Sequence, residues 1–129
     1  MTPLRNRQEN FAVMMARQLA WMADQQYHWT MGDVWRSTDK LNCPRCKDRV
    51  TYQELLVHNK KSQVLHSRHN DRCAMDVILW GKDKLAEPEE YRPLGEHWEE
   101  LGGIWGGRFG IKEAQWKSVV GWDPGHFEL

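Results

Sequence analysis

Two short stretches hold the residues best suited to chemistry. The first runs Ser67-Arg68-His69-Asn70-Asp71-Arg72-Cys73-Ala74-Met75-Asp76, and the second, at the C-terminal end, Asp123-Pro124-Gly125-His126-Phe127-Glu128. Together they offer two imidazoles and a carboxylate as metal ligands, with a spare carboxylate beside them. A catalytic zinc takes three protein ligands drawn from His, Asp, Glu or Cys and leaves its fourth position to water. His69, Asp76 and His126 have the types for that set. Asp123, placed before His126 in the same stretch, is then within reach of the metal's water as a general base. Glu128 either orients His126 from behind, as ligand histidines commonly need, or is only a carboxylate at the chain end. Spacing alone leaves open that all of these are ordinary surface residues, because His and Asp are common.

Composition bounds the rest. A chain of 129 residues has room for one domain with a real core. Hydrophobic residues make up 40% and charged ones 28%, the balance of a globular chain rather than a disordered one. Lys plus Arg equals Asp plus Glu, 18 each, so there is no electrostatic case for nucleic acid or an anionic membrane as partner. No apolar run is long enough to span a bilayer. The first residues carry the charge of a signal n-region, but Gln8, Glu9 and Asn10 interrupt the apolar region that should follow. The expectation is a protein made in the cytoplasm and kept there unless something else releases it.

Three cysteines, an odd count, argue against a disulfide framework. Cys43-Pro44-Arg45-Cys46 is half of a zinc knuckle. The remaining ligands on offer are Cys73, His58 and His66, and Cys73 sits inside the first stretch. Two free thiols in an inserted loop are the simpler reading, and a second metal at Cys43 and Cys46 is the alternative. The eight tryptophans read as core and wall packing ahead of a sugar-stacking platform.

These residues need elements to hold them. Residues 3–26 have Thr2 as cap, Pro3 in the first turn, and Phe11, Met14, Met15, Leu19 and Met22 at helical spacing, which predicts a helix with one apolar face. Residues 27–35 are aromatic and β-branched and predict a short strand with Gly32 near a bend. Thr51 and Glu54 make a capping-box pattern for a short helix over 51–60. Residues 73–80 alternate and predict a central strand, with Asp76 on the face of Ala74 and Ile78. A carboxylate on so apolar a strand needs a partner, and a metal ion is one. After a loop over 81–88, Tyr91, Leu94, Trp98 and Leu101 predict a helix whose regular part follows Pro93. The glycine-rich run over 102–110 lacks the spacing of a phosphate loop and reads as tight turns around an aromatic wall. Val119 and Val120 are candidates for burial, and 126–128 predict a last short strand beside Asp76. No internal repeat, low-complexity segment or linker is present.

Ser67-x-His69-x6-Asp76 with Ala74 two before the Asp, the Trp105-Gly106-Gly107 turn, and the terminal Asp123-x-x-His126-Phe127-Glu128 together resemble the zinc D-alanyl-D-alanine carboxypeptidase/dipeptidase family. They most resemble its phage-lysis branch, the L-alanyl-D-glutamate endopeptidases (endolysins). The resemblance runs from about Val34 to Leu129, with one departure: Arg72 stands where the family usually has Gly. It implies an α+β fold of the hedgehog/D-alanyl-D-alanine-peptidase kind, a short antiparallel sheet flanked by helices with zinc in a cleft. One domain would cover 1–129, without a separate wall-binding domain. It also implies one zinc per chain on His69, Asp76 and His126, with Asp123 as base. Arg36, in the Arg36-Ser37-Thr38 turn, would hold the carbonyl oxygen as it becomes negative. Ser67 would bond the substrate or merely shape its turn, and Trp105 would line the substrate cleft. The implied partner is the peptidoglycan stem peptide, cut at its L-Ala–D-Glu bond by a monomer. A D-alanyl-D-alanine carboxypeptidase or dipeptidase, and a non-catalytic zinc-stabilised domain of the hedgehog kind, are the alternatives. A small Cys-x2-Cys nucleic-acid-binding protein is weaker, since neither a basic surplus nor a complete finger is present.

Overall fold

The computed structural model describes residues 2–35, 40–42, 49–51 and 67–129. The 51–60 helix, Arg36, Cys43 and Cys46 therefore fall outside the described residues, except that Thr51 ends a short strand.

Helix α1 (Pro3–Asp24) begins where the sequence marks it, with the Thr2 hydroxyl accepting from Arg5 N–H at 3.2 Å and Pro3 in the first turn. Its buried face is Phe11, Met14, Gln18 and Met22. Strand β1 (His28–Met31) follows, then a two-stranded antiparallel ladder of β2 (Lys40–Asn42) and β3 (Arg49–Thr51). Strand β4 (Ala74–Trp80) leads through a 3₁₀ turn (Pro88–Tyr91) into α2 (Arg92–Glu100), which carries Pro93 in its first turn, where a missing N–H costs nothing. Short strands β5 (Ile104–Trp105) and β6 (His126–Glu128) complete the main sheet.

That sheet has the order β1-β4-β6-β5 and is antiparallel throughout. An α+β arrangement is thus present, with β4 central. The pleat gives β4 two faces. Met75, Val77 and Leu79 join Phe11, Met14 and Met22 of α1, Leu94 and Trp98 of α2, and Trp105 and Phe127 in one core. Ala74, Asp76, Ile78 and Trp80 take the other face. Strand β6 is short, so β4 completes its hydrogen bonds elsewhere: Val77 N–H donates to Gly125 C=O at 2.8 Å and Leu79 N–H to the Tyr91 hydroxyl at 2.9 Å. Among the described residues, no helix is long and apolar enough to cross a membrane.

One expectation of burial needs correction, and one buried residue was not anticipated. Val119 is 41% exposed, because the segment after the 3₁₀ turn Glu113–Gln115 runs over the surface, while Val120 is partly buried against the core. Gln18, a polar residue, is fully buried. Its amide N–H donates to Leu94 C=O at 3.0 Å and its oxygen lies 2.5 Å from His97 Nδ1, so the buried amide is satisfied where α1 meets α2.

Arg72 has φ +58°, in the left-handed region. This explains why glycine suits the position, and Arg72 occupies it with its guanidinium stacked 4.9 Å from the Trp35 ring centre. Arg72→Gly is expected to be more stable than Arg72→Ala by about 1 kcal/mol, since both lose the stacking and only Ala keeps the backbone strain. Equal denaturant midpoints for the two variants would contradict this.

Candidate metal centre

The main sheet brings the far end of the sequence to its middle. β4 and β6 pair with Asp76 directly opposite His126 and Ala74 opposite Glu128. Phe127, between them, points into the core, so His126 and Glu128 share the face of Asp76. The third residue comes from the turn ahead of β4. Ser67 Oγ accepts from His69 N–H at 3.1 Å, Asn70 Oδ1 accepts from Ser67 N–H at 2.8 Å, and Cys73 N–H closes back on Arg68 C=O at 2.9 Å. Those bonds fix His69, only 1% exposed, over Asp76. Ser67 thus shapes the turn.

His69, Asp76 and His126 each offer a ligand atom, and the three atoms lie within 4.8 Å of one another. Asp76 Oδ1 is 3.2 Å from His69 Nε2 and 3.3 Å from His126 Nδ1. Ligands at zinc bond lengths in a tetrahedron sit roughly 3.3–3.4 Å apart, so these separations match. The other nitrogen of each ring faces an acceptor: His69 Nδ1 lies 3.5 Å from the Val34 carbonyl, and His126 Nε2 lies 2.9 Å from Glu128 Oε1. An N–H held on the outer nitrogen leaves the lone pair of the inner one for a metal. Arg68 in turn reaches Glu128 at 3.6 Å and Asp71 at 3.3 Å.

Asp123 stands beside this cluster. Its Oδ2 is 3.8 Å from His126 Nδ1 and its side chain is 37% exposed. The turn that carries it is anchored by His126 N–H on Asp123 C=O at 3.1 Å. Gly106 makes room for that turn, since a Cβ there would come within 2.1 Å of the Asp123 carbonyl oxygen. The glycine run therefore serves the site by close backbone approach.

Burial alone would raise the Asp76 carboxyl, but hydrogen bonds from His126 and His69 outweigh it and hold the group well below the usual carboxylate range. Burial also opposes charge on His126; hydrogen bonds to Asp76 and Glu128, with the Asp123 charge, overcome it and push the imidazole up to about 9. With a folded pKa above its ordinary 6.5, His126 contributes stability that is full below pH 6.5 and is lost as pH rises through about 9. Asp76 is depressed, so its contribution is present above its ordinary 3.8 and lost as pH falls. Metal-free protein is therefore expected to lose melting temperature between pH 6.5 and about 9, and His126→Gln to lack that decline. Added zinc should flatten it, because metal and proton compete for one lone pair. An undiminished decline in His126→Gln would assign it to other groups.

Trp105 departs from expectation. It is fully buried, with its indole N–H donating to Pro124 C=O at 2.7 Å, so it packs the core and lines no substrate cleft. Among the described residues, Phe109 lies 5.6 Å from the His126 ring, and Trp122, 52% exposed, lies 5.5 Å from Phe109. Sequence reasoning set Phe109 within the aromatic run over 102–110 and did not single out Trp122. The signal was the position of Trp122, directly before Asp123.

No family model matches the sequence, and no curated protein matches it. In structure, the chain is similar to the L-Ala D-Glu endopeptidase ChiX of Serratia marcescens. The identity is 23% and the TM-score 0.50, over 80% of this chain and 67% of that one. At that identity the likeness is one of fold alone.

Proposed function

We propose that this protein is a zinc-dependent peptidase that cuts the L-alanyl-D-glutamate bond of the peptidoglycan stem peptide, as a phage or prophage lysis enzyme does. The observation that carries the reading is the orientation of the two imidazoles. Val34 and Glu128 sit behind the outer nitrogens of His69 and His126, so both inner nitrogens face the Asp76 carboxylate. The motif resemblance and the likeness of fold to an endopeptidase support the choice of reaction.

A zinc ion held by His69, Asp76 and His126 supplies Lewis acidity, which acidifies water and polarises a peptide carbonyl. Asp123 Oδ2 takes the proton from the attacking water and hands it to the leaving amine. Its partial exposure beside the cluster suits a group that must meet both solvent and substrate. Phe109 and Trp122 wall the substrate on the His126 side. Arg36 holds the carbonyl oxygen as charge develops on it. Glu128 keeps His126 in its ligand tautomer, so Glu128→Gln is expected to weaken zinc binding about 10–100-fold, as read by competition with a chromogenic chelator.

Digestion of purified peptidoglycan tests the reaction. Mass spectrometry should find new C-terminal L-alanine and new N-terminal D-glutamate. Release of terminal D-alanine alone would favour the carboxypeptidase or dipeptidase. No release by zinc-loaded protein would leave a non-catalytic zinc domain.

A further inference from the structure

The sheet face that carries Asp76 continues beyond the cluster. Asp76, Ile78 and Trp80 alternate onto it, and β1 sets Thr30 opposite Ile78 and His28 opposite Trp80. Four residues of strand put Trp80 about 13 Å from Asp76. Trp80 is 43% exposed, and its indole N–H donates to Thr30 Oγ1 at 3.0 Å. With its only donor bonded, the ring is held in place and offers its face.

Trp80 forms one wall of an open hollow of about 800 Å³ whose other walls include Gln26, Tyr27, His28, Lys82 and Asp83. The turn that carries Lys82 and Asp83 is closed by Gly81 N–H on Lys84 C=O at 2.7 Å. Gln26 has φ +63° just past the end of α1, where glycine would be unstrained. Gln26 in this conformation lines the same hollow as Trp80. Charge is nearly balanced: Lys84 pairs with Glu87 at 3.4 Å, and Asp83 adjoins Lys82 in sequence. The hollow has no strong pull for an anion.

We propose that this hollow binds an N-acetylated pyranose of the peptidoglycan glycan strand. Trp80 stacks on the sugar's C–H face, whose partial positive charge meets the negative face of the indole. Gln26, His28 and Asp83 supply hydrogen-bond partners for its hydroxyl and acetamido groups. This rests on the peptidase reading for the path of the substrate. In the stem peptide, the alanine of the scissile bond is joined to the sugar by a lactyl group. From a carbonyl at the metal cluster, the alanine and that link extend about 7 Å. A substrate laid along β4 with its sugar end toward Trp80 would bring its first sugar into the interval between Asp76 and that ring.

Titrating the tetramer of N-acetylglucosamine into ¹⁵N-labelled protein tests the site without hydrolysis. The expected result is a saturable shift of the Trp80 indole N–H resonance, assigned as the one missing in Trp80→Phe. Trp80→Ala should weaken binding at least about ten-fold, judged by the shifts of neighbouring amides. With disaccharide-peptide and bare stem peptide as paired substrates, the ratio of their kcat/KM values should fall about ten-fold in Trp80→Ala. Trp80→Phe should restore part of that ratio, which a loss of fold would not allow. Absence of saturable tetramer binding, or equal losses on both substrates, would overturn the sugar site even if the bare peptide is cleaved. Saturable binding without cleavage of either peptide would uphold the sugar site and overturn the peptidase reading instead.

Discussion

Asp123→Asn is expected to lower stem-peptide hydrolysis about 10²–10⁴-fold, the usual share of a positioned acid–base group, while zinc content and fold stay those of wild type. The side chain lies beside the ligand cluster, with Oδ2 3.8 Å from His126 Nδ1, and Asn is nearly isosteric with Asp. The amide can still hydrogen-bond a water but cannot take its proton. Cleavage and zinc content must be measured on the same sample, because each alternative moves one of them alone. Zinc-free Asp123→Asn protein would make Asp123 a ligand. Zinc-loaded and fully active protein would move the base elsewhere. Glu128 is then a poor substitute, since its Oε1 is engaged with His126 Nε2 at 2.9 Å, on the side of the ring away from Asp76.

Much of the site was legible because it obeys short-range rules. A period of two placed Asp76 on the face opposite Met75 and Val77, and the apolar character of β4 made a lone carboxylate there conspicuous. Thr2 and Pro3 marked the start of α1. Glycine at this position in the family the sequence resembles pointed to the left-handed backbone that Arg72 adopts. What escaped depends on packing between distant segments. Gln18 lies in register with Phe11, Met14 and Met22, and only its polarity kept it out of the expected stripe; Leu94 and His97, on another helix, make its burial tolerable. Trp105 is buried in a slot partly formed by Gly95, where a Cβ would come within 2.0 Å of the indole. Trp80 and Trp122 are the same residue type left half exposed. Composition could not sort them. The Val34 carbonyl behind His69 is backbone, and no residue type announces it.

Loss of any one ligand is expected to have the largest effect. Wild-type protein should hold about one tightly bound zinc per chain, and His69→Ala, Asp76→Ala and His126→Ala should each lose it, with hydrolysis falling to background. Asp76 is central: its Oδ1 lies 3.2 Å from one imidazole and 3.3 Å from the other, and the two rings are 5.0 Å apart, so removing it leaves two imidazoles and no carboxylate in the set. A ligand that binds the folded state stabilises it in proportion to the logarithm of its excess over Kd. Zinc should therefore raise the melting temperature of wild-type protein and not that of the three variants. This comparison separates lost metal from lost fold, because a variant that melts cooperatively without responding to zinc has kept its structure and lost its site. Cys43→Ser with Cys46→Ser is the control: activity should stay within a few-fold of wild type. A second zinc equivalent that vanishes only there would place another metal at the half-knuckle. Full zinc retention in all three ligand variants would instead remove His69, Asp76 and His126 as the metal centre, and with them the reason to place a base at Asp123.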